Sequence, residues 1–421
     1  MSKFVKPKIV LDPLLGIIDV TDVLPLMDVA EFQSLGFKYQ LGMAFSIFPS
    51  ATHTRKQHSL GAYERTRRLV SAWLKYGFIN ENEARNLPVY ALYHDIGHGP
   101  FSHVTESLGS VTHEERGVRI VEGLQDVISG AGFDYDLVHE MMTYENPLYL
   151  AVSDKNLGTE KLDYLEHDAY YTIGERPGVD YLMRHTYYID GKVVVHDVAL
   201  DQAKGIQDFY LKMSKHVYLR KKSSILQRLV EKMTYYLLQS GLSEQELFML
   251  TDFGLLGRFE VSDHPDIQFF YDQFKKGIFP KLAIELKYED AAGVDLENKP
   301  MKFVGLETAV CDALVNNKEL QNPESVEKLE HILEEMIGVP ERTIMIIPPF
   351  STDRFLPHDI YVYRGPGRLD TLSNMYPNHF RAMQEYGRSH VGVRIAASAA
   401  YRRAVYEHAD DITEYIIKHY V

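Results

Sequence analysis

His94 and Asp95 are adjacent within a histidine-dense run, Tyr93-His94-Asp95-Ile96-Gly97-His98-Gly99-Pro100-Phe101-Ser102-His103. An imidazole and a carboxylate this close in sequence can ligate one divalent ion, because mixed nitrogen and oxygen donors suit several metals. His98 follows His94 by four residues, one turn along the same face if the helix continues that far. His58 offers a third nitrogen, and the acidic run Glu160, Asp163 and Asp168 is the nearest dense source of another carboxylate. In a chain with 18 histidines, a single His-Asp pair is more often a helix-end salt bridge. With His58, His98, His103 and His113 around it, the pattern becomes that of a distributed, metal-dependent hydrolase site.

Helices must position these residues. Over residues 58–73 the apolar side chains Ala62, Tyr63, Leu69, Val70 and Trp73 recur at helical spacing, with Glu64, Arg65, Arg67 and Arg68 on the other faces. Residues 81–95 read as a second helix, kinked at Pro88 or starting there, and residues 113–127 and 160–173 as two more. Tyr187 to Val195 carries Asp190-Gly191 at its centre, the signal of a β-hairpin, expected outside the helical core. One long helix is expected from about residue 200 to 238, since Leu226, Leu229, Val230, Met233 and Leu237 repeat every three or four positions. After that the texture mixes a helix at 325–336 with strands at 343–347, 360–363 and 391–395. The expected architecture is mainly α: an all-helical metal-site core over residues 1–240, with the motif region at about 50–170, and a smaller α+β lobe over 241–421.

Two stretches carry a specific resemblance: Thr52-His53-Thr54-Arg55-Lys56-Gln57-His58-Ser59-Leu60-Gly61, and the His94–His103 run. With Gln40-Leu41-Gly42 upstream and Glu160-Lys161-Leu162-Asp163-Tyr164-Leu165-Glu166-His167-Asp168 downstream, the chain resembles the HD-domain deoxynucleoside triphosphate triphosphohydrolases, the dGTPase-like enzymes, from about residue 8 to 222. The resemblance implies one divalent metal (Mn, Fe, Zn, Ni or Mg) held by His58, His94 and Asp95. The fourth ligand falls at Glu160, where the family carries Asp. Spacing makes Asp163 an alternative, but on a helix Glu160, Tyr164 and Asp168 share a face while Asp163 points about 60° away from Glu160.

The resemblance also implies that His113 with Glu114 moves a proton, that His98 and His103 approach the scissile phosphate, and that Arg55, Lys161 and Tyr164 grip the triphosphate. Gln40 and Asp168 would contact the deoxyribose, Leu41 would pack on sugar or base, and Tyr218 would close the far side. At two positions the chain departs from the family. Tyr210 and Ser214 stand where an Arg and a His are usual, which removes charge-assisted hydrogen bonds worth about 1.5–3 kcal/mol each.

The expected activity is dNTP hydrolysis to deoxynucleoside and inorganic triphosphate. The alternatives are hydrolysis of another nucleotide or phosphate ester, or a non-catalytic nucleotide sensor. His94-Asp95 is not followed by the Glu-Asp of guanosine tetraphosphate hydrolases, and the Gly-Tyr-Pro signature of cyclic-dinucleotide hydrolases is absent.

Composition sets outer limits. The 421 residues, 45% hydrophobic and 25% charged, can build a substantial core. A net charge of -14 argues against a membrane surface or an extensive nucleic-acid surface as partner. Cys311 is the only cysteine and residues 1–10 hold no apolar leader, which implies a reducing, cytoplasmic compartment. A homo-oligomer is expected from the resemblance alone, with Arg354, Arg364 and Arg368 of the C-terminal lobe candidates for assembly or regulation.

Overall fold

Thr54 starts the central helix: its hydroxyl accepts the Gln57 N–H, and the helix runs Arg55–Tyr76 to a left-handed Gly77. His58, Ser59, Glu64 and Arg65 are buried along with the apolar stripe. A helix that buries charge requires partners for it, and these partners build the site described below. The next helix, Glu81–Tyr93, is fixed by an Asn80/Glu83 capping box and runs through Pro88, so the proline does not mark its start. The helix expected over 113–127 ends at Gly123 and restarts as Gln125–Gly130. Thr159–Thr172 packs against the central helix.

These elements are from a computed structural model that describes residues 6–291, 299–349 and 358–421. Arg354 lies outside the described residues. The chain is mainly helical with small sheets, as expected, and it forms two compact units. One comprises Met1–Met213, Ser243–Leu256 and His358–Pro377, and the other Ser214–Leu242, Gly257–Pro357 and Asn378–Val421. The units therefore exchange segments across residue 240.

In the first unit the helices are accompanied by strands. Thr186–Ile189 and Lys192–His196 form the predicted hairpin, with Asp190 and Gly191 both at positive φ (51° and 73°), the geometry of a tight two-residue turn. It is not peripheral. Trp73 of the central helix donates to the Thr186 carbonyl (2.7 Å) and stacks on Tyr188. Lys192–His196 also pairs in parallel with Tyr361–Tyr363, which pairs with Leu369–Thr371, so two strands from late in the chain complete this sheet.

The expected long helix is broken. Leu200–Met213 passes into a wider π turn at Ser214–Tyr218, closed by Leu219 N–H to the Ser214 carbonyl, and a new helix spans Lys221–Gln239. The apolar repeat persists, but the backbone changes pitch where the chain passes from one unit to the other.

The second unit is a four-stranded sheet in the order Lys302–Leu306, Lys281–Tyr288, Val393–Ala397, Ile344–Ile347, parallel in the first pair and antiparallel in the others. Val326, Leu329 and Leu333 of the helix Pro323–Ile337 join Ile284, Leu286, Ile346 and Ile395 in its core. No helix among the described residues is long and apolar enough to cross a membrane.

Replacing Gly191 with Ala puts a Cβ on a left-handed residue, and its only new contact is a loose one with the Pro147 ring at 3.9–4.0 Å. It should lower stability by about 1–2 kcal/mol, read as a fall in the urea midpoint with an unchanged slope.

Candidate metal centre and its surroundings

The central helix brings His58 to face His94, which caps the end of Glu81–Tyr93. Their tautomers are fixed from behind. His58 Nδ1 lies 2.9 Å from Asp163 Oδ2, and His94 Nδ1 lies 2.7 Å from the Ala91 carbonyl, so both Nδ1 atoms donate and both Nε2 lone pairs are free. The two Nε2 atoms then face each other at 3.3 Å. At that distance the pair is satisfied either by a proton held between the two nitrogens or by a cation that both ligate. The spacing matches what two imidazole ligands at about 2.0–2.1 Å span around one ion.

Asp95 completes the group. Its oxygens lie 3.7 Å from His58 Nε2 and 3.5 Å from His94 Nε2, and the ligand atoms of His58, His94 and Asp95 are all within 4.8 Å of one another. Burial opposes its charge, but His94, Arg55 and His98 prevail and hold it well below the usual carboxylate range. The cluster thus has the donor chemistry of a divalent-metal site.

Glu160 is not within that 4.8 Å of all three. Its carboxylate is still close enough to join Asp163 and Asp95 in raising the pKa of His58 against the opposing effect of burial. The field that favours a proton there favours a metal cation equally.

Asp163 is fully buried and serves the site from behind. It accepts from Arg65 Nε at 3.0 Å and lies 3.1 Å from His167 Nδ1, while His167 Nε2 reaches Asp12 at 3.1 Å. The helix geometry that turns Asp163 away from Glu160 is what aims it at the rear nitrogen of His58. Gly61 makes this approach possible, since a Cβ there would lie 2.2 Å from Asp163 Oδ1.

Arg55 is buried and committed: Nη1 pairs with Asp95 and Nε with Ser102 Oγ. His98 stacks on His113 at 3.9 Å between ring centroids, and its Nε2 lies 3.3 Å from Asp95 Oδ1. Burial, assisted by Arg55 and His113, holds His98 well below its ordinary pKa, so it stays neutral, and its buried Nδ1 has no hydrogen-bond partner. His103 is more open, its side chain 60% exposed.

The carboxylate that engages His113 most closely is Glu106, at 2.6 Å from Nδ1, whereas Glu114 is at 3.3 Å. Glu106 also holds His103 Nδ1 at 3.0 Å, one oxygen to each imidazole. Although burial works against it, Glu106 outweighs that effect, with help from Asp95 and Glu114, and raises the pKa of His113. The available signal for Glu106 was its position three residues after His103.

The remaining predicted residues fall as follows. Asp168 pairs with buried His53 (2.7 Å), whose ring stacks on Tyr171 and whose Nδ1 has no partner. Gln40 is the backbone neighbour of His53, and its buried Oε1 also has no partner. Leu41 follows Gln40 and is half-buried. Lys161 sits over the Tyr210 ring at 3.8 Å, and burial pulls its ammonium down to about 8. Tyr164 lies edge-on to His58. Tyr218 belongs to the other unit.

A model of the HD domain matches residues 55–145, the stretch that supplies His58, His94, Asp95, His98, His103, Glu106 and His113. The chain carries an HD domain. It is 35% identical over 180 residues to the uncharacterized Bacillus subtilis protein YwfO, covering 41% of this chain and 42% of that protein. It is 30% identical over 218 residues to the bovine deoxynucleoside triphosphate triphosphohydrolase SAMHD1, covering 41% and 37%. The chain thus matches less than half the length of either relative. The crystal structure of a phosphohydrolase from Bacteroides thetaiotaomicron superposes with a TM-score of 0.71 over 93% of this chain and 99% of that one, at 20% identity, which shows a shared fold.

Two outcomes follow. Asp163→Asn removes the acceptor that fixes His58 and should weaken metal affinity by about 10–100-fold, measured by calorimetric titration of manganese into apoprotein. His167 is raised to about 10 by Asp163 and Asp12 despite its burial, so its stabilising contribution is complete below about pH 6.5 and is lost as pH rises through 10. The stability gap between wild type and His167→Gln should therefore shrink from pH 7 to pH 10 in thermal melts.

Proposed function

We propose that this protein is a metal-dependent phosphohydrolase that cleaves deoxynucleoside triphosphates to deoxynucleoside and inorganic triphosphate. The observation that carries the reading is the opposed pair of Nε2 atoms of His58 and His94 beside Asp95, with neutral His98 and proton-retaining His113 next to it. A divalent ion held by His58, His94 and Asp95, with Glu160 as the additional carboxylate, supplies Lewis acidity toward a phosphoryl oxygen.

The chain's own groups divide the remaining work. His113, kept basic by Glu106, holds the proton that the leaving group requires, and His98, kept neutral by burial, accepts a hydrogen bond or donates one without adding charge. Lys161 presents positive charge beside Tyr210 for the polyphosphate. The unpartnered buried atoms of Gln40 and His53, next to Asp168, fit the hydroxyl-bearing part of a sugar. The similarity to SAMHD1 supports the triphosphate substrate.

Purified protein incubated with manganese and each of the four dNTPs should release inorganic triphosphate, identified by anion-exchange chromatography. Asp95→Asn and His94→Ala should lose both bound metal and turnover. Phosphate release from simple esters with no triphosphate from any dNTP would exclude the substrate while keeping the metal hydrolase. A metal-free variant that remains active would exclude both.

A further inference from the structure

The residues from Gly99 to Ser110 lead from His94, Asp95 and His98 to His103 and His113, and are held in part from within, by Thr105 Oγ1 donating to the Pro100 carbonyl (2.6 Å) and Ser102 N–H to the Gly99 carbonyl (3.2 Å). Phe101 and Ser102 both sit at positive φ (50° and 53°), a conformation that costs about 1–3 kcal/mol per residue and persists only when the surroundings impose it. A further constraint on it comes from much later in the chain. Asp252, fully buried, accepts the Phe101 N–H at 2.6 Å with one oxygen and the Tyr39 N–H at 2.7 Å with the other. One carboxylate thus ties the strained turn to the segment that carries Gln40.

Two further residues of the same segment, four and eight positions before Asp252, act on the same loop. The Phe248 ring fits between Gly99 and Gly109, where a Cβ on either would approach it to 2.5–2.6 Å, and Arg116 lies over it at 3.7 Å. Glu244 accepts the Ser110 N–H at 2.8 Å and its hydroxyl at 3.0–3.1 Å. Arg116 in turn donates to the Gly97 carbonyl at 3.0 Å.

We propose that Glu244, Phe248 and Asp252 form a clasp that sets the conformation of the histidine loop, with Asp252 the positioning residue for Ser102 and, through it, for Arg55. The proposal rests on the phosphohydrolase reading for its catalytic consequence, not for its geometry. Ser102 is the residue after Phe101, and its hydroxyl receives Arg55 Nε while Arg55 Nη1 holds Asp95. Releasing Phe101 therefore lets the guanidinium shift beside the metal ligands without removing any ligand. None of the clasp residues touches a metal-ligating atom.

The test uses the full-length protein loaded with manganese, with Asp252→Asn as the isosteric change and Glu244→Ala as a second variant at a half-buried position that does not threaten the core. Three quantities are read: manganese stoichiometry, amide hydrogen exchange over residues 99–110, and kcat and KM for the dNTP hydrolysed best. Bound manganese should stay at the wild-type level and exchange in the loop should rise in both variants. For Asp252→Asn, kcat should fall about 10–100-fold with KM changed less than about threefold, as a small misplacement of catalytic groups predicts. Glu244→Ala should act in the same direction by a smaller factor.

Unchanged loop exchange in both variants overturns the clasp, as does loss of manganese in step with kcat, which marks a general structural role. Should Asp252→Asn fail to fold, exchange in Glu244→Ala decides. If the wild type hydrolyses no dNTP, the functional reading fails, and loop exchange with retained manganese still judges the clasp.

Discussion

Asp163 has no access to solvent, and a buried carboxylate is tolerable only when its charge is answered on several sides. Arg65, His58 and His167 supply those answers: the first two tie Asp163 to the central helix and to the His58–His94–Asp95 cluster, and the third, through Asp12, to the N-terminal strand pair. The orientation of His58 is a by-product of this charge balance. The site is therefore built from the back, by groups that meet no substrate.

The front of the site follows the same rule. Arg55, expected to grip phosphate, is occupied with Asp95 and Ser102, so its charge stabilises the Asp95 carboxylate. Glu106 holds two imidazoles at once, and the second carboxylate at His113, Glu114, is the more distant one. The cation on Tyr210 is the local counterpart of the guanidinium that the resemblance leads one to expect nearby: Lys161 lies on a ring rather than beside a second positive side chain.

Local patterns read well from sequence where a residue's neighbours in the chain determine its conformation. Asp190-Gly191 predicted a hairpin turn because positive φ at both positions is a property of those two residues. The helices expected at 81–95 and 325–336 are present as Glu81–Tyr93 and Pro323–Ile337, and His58, His94 and Asp95 were visible as a group because the histidine density is itself improbable. Long-range completions were not legible. The strands at 361–363 and 369–371 belong beside the hairpin at 186–196, and nothing in either segment names the other. Asp252 lies more than 150 positions from Phe101, and its role exists only in three dimensions. The 200–238 helix failed for another reason, since hydrophobic spacing survives a single π turn that resets the backbone.

The alternation of segments between the two units has a consequence for synthesis. A domain made of one uninterrupted stretch can fold as soon as that stretch has been translated, and multidomain chains generally gain from folding one domain before the next is made. Here the first unit takes residues up to Pro377 of 421, including two strands of its own sheet, and the second unit takes residues from Ser214 onward. Residues through Pro377 must be present before the first unit is complete, and residues from Asn378 onward before the second is. The helices bearing His58 and His94 are thus held in an unfinished scaffold until residues 361–371 have been made, with the sheet edge at Lys192–His196 open until that late partner arrives.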